Sequence, residues 1–163
     1  MALPIEQKEL LRKQHNFAAW QGTDAGTTGP AIREFQFKGD ELPDWELVRA
    51  RRNDALQPPR LDTFWRPRGD TSDTLLGVHV IECTSVPAAR EALLDALGDF
   101  ESAVINRRTD LHVGDVVFGQ DFVLVFARGN LVVFVRNAGR TVVPVLELAR
   151  IVDAHISRQL RGE

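Results

Sequence analysis

"FVLVFARGNLVVFVRNAG", residues 122–139, consists of two alternating apolar runs joined by Gly129-Asn130. A two-residue loop with Gly at its first central position suits a type II′ turn, whose twist matches that of paired strands. Pairing about this turn sets Arg128 opposite Leu131, Phe126 opposite Val133, Leu124 opposite Val135 and Phe122 opposite Asn137, all on one face. The other face shows Val123, Val125, Ala127, Val132, Phe134 and Arg136. A surface hairpin normally has one polar face, and this one has none. At roughly 25 cal/mol per Å² of apolar area, leaving either face in water forgoes several kcal/mol. The run is therefore predicted to lie centrally in a sheet with helices on both sides.

The rest of the chain has the composition such a sheet needs. Its 163 residues are 44% hydrophobic and 26% charged, which fits one domain over 1–163. The net charge is −3, and no basic run demands nucleic acid as a partner. Arginine supplies all the basic residues except Lys8, Lys13 and Lys38, and the pairs Arg51-Arg52 and Arg107-Arg108 read as solvated, salt-bridging surface. The single cysteine, Cys83, excludes an intrachain disulfide and a cysteine-based zinc cluster. No stretch approaches the length of a membrane span, and "MALPIEQKELLRKQ" has no apolar signal core. A cytoplasmic location is expected for a native chain, and an exported domain with its signal removed would look the same.

Around the hairpin the periodicity gives further elements. Residues 4–20 read as a helix, peripheral to the domain, and "GTDAGTTGP", 22–30, as a flexible linker that lacks the GK[ST] ending of a phosphate loop. "AIREFQF", 31–37, alternates like a strand, as do 42–52 around Trp45, 74–84 and 112–119, with a short extended piece at "LDTFWRP". "VPAAREALLDALGDFES", 86–102, is a helix with Pro87 in its first turn, an apolar stripe of Ala89, Leu93, Leu97 and Phe100, and Arg90, Glu91, Asp95 and Asp99 toward water. A last helix runs from Pro144 to Leu160. "TSVPAAREALLDA", 84–96, and "TVVPVLELARIVDA", 141–154, share T-x-V-P and a distal Asp-Ala. Both follow a strand, which suits a strand-to-helix corner used twice, by reuse or by duplication.

Candidate chemistry is sparse. "CTSVPAAR" places Arg90 after Cys83 with a spacing one residue too long for a phosphatase loop, without glycine and with Pro87 inside, so Cys83 reads as a buried thiol. His79 and His155 read as partly buried structural histidines, and no histidine has helical zinc spacing, so no metal or cofactor is expected. Asp110, His112 and Asp115 lie close together near a strand start, where carboxylates flanking a histidine make a candidate acid/base cluster; turn chemistry at Gly114-Asp115 explains them equally. Trp45 and Trp65, with Arg66 and Arg68 in "FWRPRGD", are the candidate binding residues, Trp65 being either a core anchor or part of a binding surface.

The order "GDVVFG", "VFARGNLVVFV" and a final helix, over about the last third of the chain, resembles bacterial α+β domains of PsbP/Mog1-like arrangement, some from exported lipoproteins. That resemblance implies a curved antiparallel sheet with flanking helices and no shared catalytic residues. The expectation is an α+β domain with a mainly antiparallel sheet of about five to seven strands and two or three packed helices. The expected function is a bacterial, non-enzymatic interaction or accessory domain with a protein partner or a second copy. A carrier of a small apolar ligand between sheet and helices is the alternative, and an enzyme using His112 with Asp110 or Asp115 stands behind both.

Overall fold

The computed structural model describes residues 3–38, 41–99 and 105–163. It has one six-stranded sheet, entirely antiparallel, flanked by helices: α1 (Ile5–Gln14), β1 (Trp45–Asn53), β2 (Arg60–Pro67), β3 (Leu76–Glu82), α2 (Val86–Gly98), β4 (Val116–Gln120), β5 (Val123–Arg128), β6 (Leu131–Asn137) and α3 (Leu146–Leu160). The spatial order is β1-β2-β3-β6-β5-β4. The chain is thus an α+β domain, and no described helix is long and apolar enough to cross a membrane.

The hairpin of 122–139 forms β5 and β6 in the expected register, with Arg128 opposite Leu131, Phe126 opposite Val133 and Leu124 opposite Val135. Of the two turn residues only Gly129 takes a positive φ, +56°, as a type II′ turn requires. Each apolar face has its own helix. Leu124, Phe126, Val133 and Val135 meet Leu148, Val152 and Ile156 of α3, in a core that also holds Trp65, Leu76 and Val78. Val125, Ala127 and Val132 meet Ala89, Leu93, Leu94 and Leu97 of α2, together with Phe17, Trp20 and Phe118. Burying each large apolar side chain in this way is worth about 1.5–3 kcal/mol. The two T-x-V-P helices therefore pack on opposite faces. A two-fold axis exchanging the antiparallel neighbours β3 and β6 would run perpendicular to the sheet and leave both helices on one face. The shared motif is corner chemistry without structural symmetry. Ser85 caps the first corner by accepting from the Ala88 amide, while the second has no side-chain cap.

Three expectations are corrected. The alternating 31–37 segment is not a strand. Glu34 has a φ of +54°, which breaks an extended run, and the segment's amides bond to side chains instead of a neighbouring strand. Asn130, fully buried in the hairpin turn, accepts from the Ile32 amide at 2.8 Å and donates to the Ile32 and Cys83 carbonyls at 2.8 Å each. Glu82 accepts from the Glu34 and Phe35 amides, 2.9 Å each, and from Arg52 at 3.1 Å. The segment is thereby strapped over the α3 face, with Phe35 in the core. The helix expected over 4–20 ends at Gln14, because Asn16 takes a left-handed φ of 52°; a 3-10 turn, Phe17–Ala19, follows. No side chain of α1 is buried, and it is held to α2 by Lys8 and Arg12 on Glu91. Arg90 does not face water. It is 1% exposed, and its guanidinium donates to Asp115 (2.7 Å), the Gly129 carbonyl (3.0 Å) and the Gln21 carbonyl (2.6 Å). Phe100 and the end of the expected 86–102 helix lie outside the described residues.

From Arg90 a chain of alternating charge runs on. Asp115 also accepts from Arg128 at 3.0 Å and from the Gly129 amide at 2.9 Å, and Arg128 grips Asp153 of α3 with two bonds of 2.7 and 2.8 Å. Removing one partner from a buried pair leaves the other charge uncompensated. Asp115→Ala is expected to lower the unfolding free energy by about 3–5 kcal/mol. Asp110→Ala, on an exposed carboxylate, is expected to change it by about 0.5 kcal/mol or less. Urea denaturation of the two variants checks this, and equal losses would deny the clamp.

Burial works to raise the pKa of Glu82, but the Arg52 bond and the two amides outweigh it and hold the carboxyl below its ordinary 4.5. A depressed folded value means that its stabilisation is present above 4.5 and is lost as pH falls through the folded value. Acid below that range should release the 31–37 strap, and Glu82→Gln should weaken it at neutral pH. Hydrogen exchange at the Glu34 and Phe35 amides reads both; unchanged protection in the variant would refute the anchor.

Candidate functional site

The alternation that buries one side of β1, β2 and β3 against α3 sends their other residues to the α2 side of the sheet. There α2 reaches the β4-β5-β6 half, Cys83 and Ile81 at the end of β3. Among the described residues no helix lies over the β1-β2-β3 half. Two features of the strands shape this open half-face. A bulge at Val48 breaks the register between Leu47 and Arg49, so that Arg49 and Arg51 come opposite Phe64 and Asp62. Gly77 leaves space above β3, because a Cβ there would stand 2.7 Å from His79 Nε2.

Cross-strand register then assembles two rows. One runs Arg49, Phe64, Gly77, Arg136; the other runs Arg51, Asp62, His79, Phe134. The Arg49 guanidinium lies 4.6 Å over the Phe64 ring, and the Phe64 ring meets His79 edge-on at 5.6 Å. His79, 4% exposed, has Nδ1 2.5 Å from Asp62 Oδ1, and its Nε2 receives the Arg136 Nε–H at 2.9 Å. Arginine only donates, so Nε2 accepts and the proton sits on Nδ1, toward Asp62. Arg60 adds a 2.8 Å bond to the same Asp62 oxygen. Burial lowers the His79 pKa from 6.5, and the Arg136 charge adds to this against the Asp62 hydrogen bond. Burial works to raise Asp62, but Arg60 and His79 outweigh it and keep the carboxyl ionised.

Both imidazole nitrogens of His79 are engaged. The other acid of the half-face, Glu46, is paired with Arg66 at 3.2 Å. Arg49, Arg51 and Arg136 are exposed and have no carboxylate partner among the described residues.

The residues singled out from sequence are distributed differently. Trp65 is not on a binding surface: it is 0% exposed, and its Nε1 donates to Thr63 at 2.9 Å. Strand alternation turns it into the α3 core with a satisfied N–H, so the core-anchor alternative holds. Trp45 is half-buried against the same core. Arg68 fastens the β1-β2 end, donating to the Pro43 and Trp45 carbonyls. Only Arg66 borders the open half-face, beside a cleft of about 480 Å³ that Val48, Thr74 and Arg140 also line. Asp110, His112 and Asp115 share no hydrogen bond. Asp110 is held by Arg108 at 3.0 Å and Asp115 turns inward to Arg90 and Arg128, while His112, at a φ of 51°, is exposed beside Arg107 and Arg108 in a cleft of about 270 Å³. Cys83 is 2% exposed, and burial pushes its thiol up to about 12.

Sequence reasoning missed Arg49, Arg51, Asp62, Phe64, His79 and Arg136 as a group. The available signal was the arginine at alternate positions of "VRARRN" facing the alternate polar positions of "RLDTFWRP". No family model, curated protein or solved structure matches the chain.

Gly77→Ala should displace the His79 ring and break its bond from Arg136, raising the His79 pKa toward 6.5 and costing about 1–3 kcal/mol of stability. In the wild type the lowered value keeps His79 neutral at pH 7, and its contribution is lost only as pH falls from 6.5 through the folded value. NMR titration of the imidazole protons checks both, and identical curves for the two proteins would count against the packing described.

Proposed function

We propose that this protein is a non-enzymatic interaction domain, of the kind found as bacterial accessory domains, whose docking surface is the open β1-β2-β3 half-face. One observation carries the reading: among the described residues Arg49, Arg51 and Arg136 stand exposed without a carboxylate partner, on a face where the acids Asp62 and Glu46 are already neutralised. Isolated surface arginines cost little, but three on one sheet face, two of them positioned by Phe64 and His79, make a surface organised for a partner. The PsbP/Mog1-like arrangement that the last third resembles has no shared catalytic residues, and this points the same way.

Two observations disfavour the other readings. Phe35, Trp65, Phe126 and Leu148, each 0–1% exposed, pack into the space between sheet and α3, which counts against a small apolar ligand seated there. The inward turn of Asp115 and the capture of Asp110 by Arg108 leave His112 without an orienting carboxylate bond, which counts against an acid/base enzyme.

A photo-crosslinking residue at the exposed position 48 is expected to capture one discrete protein, identified by mass spectrometry, that the same residue at position 24 does not. The purified partner should bind the wild type and lose roughly tenfold or more in affinity on Arg49→Glu with Arg136→Glu. Binding that is indifferent to the double reversal would end this reading.

A further inference from the structure

We infer that the partner presents an extended acidic protein segment with carboxylates at alternate residues, laid along β1 and gripped by Arg49, Arg51 and Arg136. The inference rests on the docking reading above and names what docks.

Charge comes first. On the two rows, three guanidinium groups (Arg49, Arg51, Arg136) stand with the single carboxylate Asp62, which Arg60 from outside the rows already holds. A partner covering them without supplying anions would strip water from uncompensated charge. A second copy of this chain related by a two-fold axis through the same face would set these arginines against their own copies, which like-charge repulsion opposes.

The kind of anion follows from the side chains. Arginine presents a planar fork that matches a carboxylate or phosphate with two parallel hydrogen bonds. The Arg49 guanidinium carbon stands over the Phe64 ring, and Arg136 is tethered through its Nε to His79 with one terminal nitrogen 3.4 Å from the Asn137 carbonyl, so its other terminal nitrogen is the part left to bind. Forks fixed before binding lose less entropy on binding. A nucleic-acid strand would also have phosphates, but strand binding on a sheet face depends on bare aromatic rings for the bases. Here the Phe64 ring is covered by Arg49 and its edge is against His79. The net charge of −3 adds repulsion of a long polyanion.

Spacing gives the conformation. Arg49 and Arg51 point to the same face two residues apart on β1, a repeat of about 6.6 Å. That is also the repeat of same-side residues in an extended chain, so alternate glutamates or aspartates fall in register with the two forks.

An alternating Glu-Thr peptide, its Lys-Thr counterpart and an oligothymidylate strand can be compared by fluorescence anisotropy at about 50 and about 200 mM salt, with ¹⁵N amide shifts locating the contact. The acidic peptide is expected to bind, to weaken with salt, and to shift the amides of Val48 to Arg51, Gly77 and Arg136. Arg49→Gln with Arg51→Gln should weaken it roughly tenfold with unchanged thermal unfolding, since both side chains are exposed. Arg107→Gln with Arg108→Gln should leave it unaltered. Absence of binding by the acidic peptide, equal binding of the Lys-Thr peptide, or tighter binding of oligothymidylate overturns the acidic-segment inference. The docking reading itself falls separately, when the captured partner ignores the charge reversal at 49 and 136.

Discussion

The alternating chain of charge from Arg90 through Asp115 and Arg128 to Asp153 joins parts that the sheet alone leaves separate. Arg90 comes from α2, Asp153 from α3, and the two helices lie on opposite faces. The chain of bonds passes the end of the sheet at the hairpin turn, where Gly129 contributes its amide to Asp115 and its carbonyl to Arg90. Apolar packing fixes each helix to a face but is non-directional and tolerates sliding. Charge-assisted bonds of 2.7–3.0 Å do not. The network thus sets where each helix lies along the sheet, and so how much of the second face α2 covers.

Buried polar side chains also take over work that a seventh strand would do. Asn130 supplies both a donor and an acceptor to Ile32, and Glu82 supplies two acceptors to Glu34 and Phe35. The 31–37 segment is therefore ordered without joining the ladder, and closes the α3 face by inserting Phe35. The N-terminal part closes the α2 face at the other half of the sheet, through Phe17 and Trp20 against Phe118. Neither closure covers the β1-β2-β3 half-face: the first lies on the opposite side of the sheet, and the second over the other half.

The hairpin was legible in the sequence because its signals are local: a Gly-Asn turn and period-two alternation determine register within a few residues. The coverage of both its faces followed from the area of apolar surface that would otherwise be wet. Arg90 and the 31–37 segment were not legible, for the same physical reason. Each has the local pattern of one environment and is moved to another by partners distant in sequence: Asp115 and Gly129 for the first, Glu82 and Asn130 for the second. The open half-face was hidden differently. Phe64 and Trp65 are neighbours, and alternation sends one to the surface and the other to the core; sequence alone drew attention to the tryptophan. The Val48 bulge, which decides the face of Arg49 and Arg51, has no sequence signature of its own.

On the docking reading proposed above, an acidic chain with a basic sheet face limits what the long-range field can contribute to recognition. Screening confines the field of exposed charges to a range of about 8–10 Å at physiological salt, so beyond that distance the chain's net −3 gives no attraction to an anion. Selectivity then has to come from contact: from the fixed forks of Arg49 and Arg136 and from the spacing of β1. The Asp62–His79 pair fits that requirement. It buries a neutral imidazole whose free nitrogen is an acceptor, and uses it to hold Arg136 without cancelling its charge, as a carboxylate in the same place would. A histidine kept neutral by burial positions a guanidinium by accepting its Nε–H through a rigid ring and leaves the full positive charge facing outward.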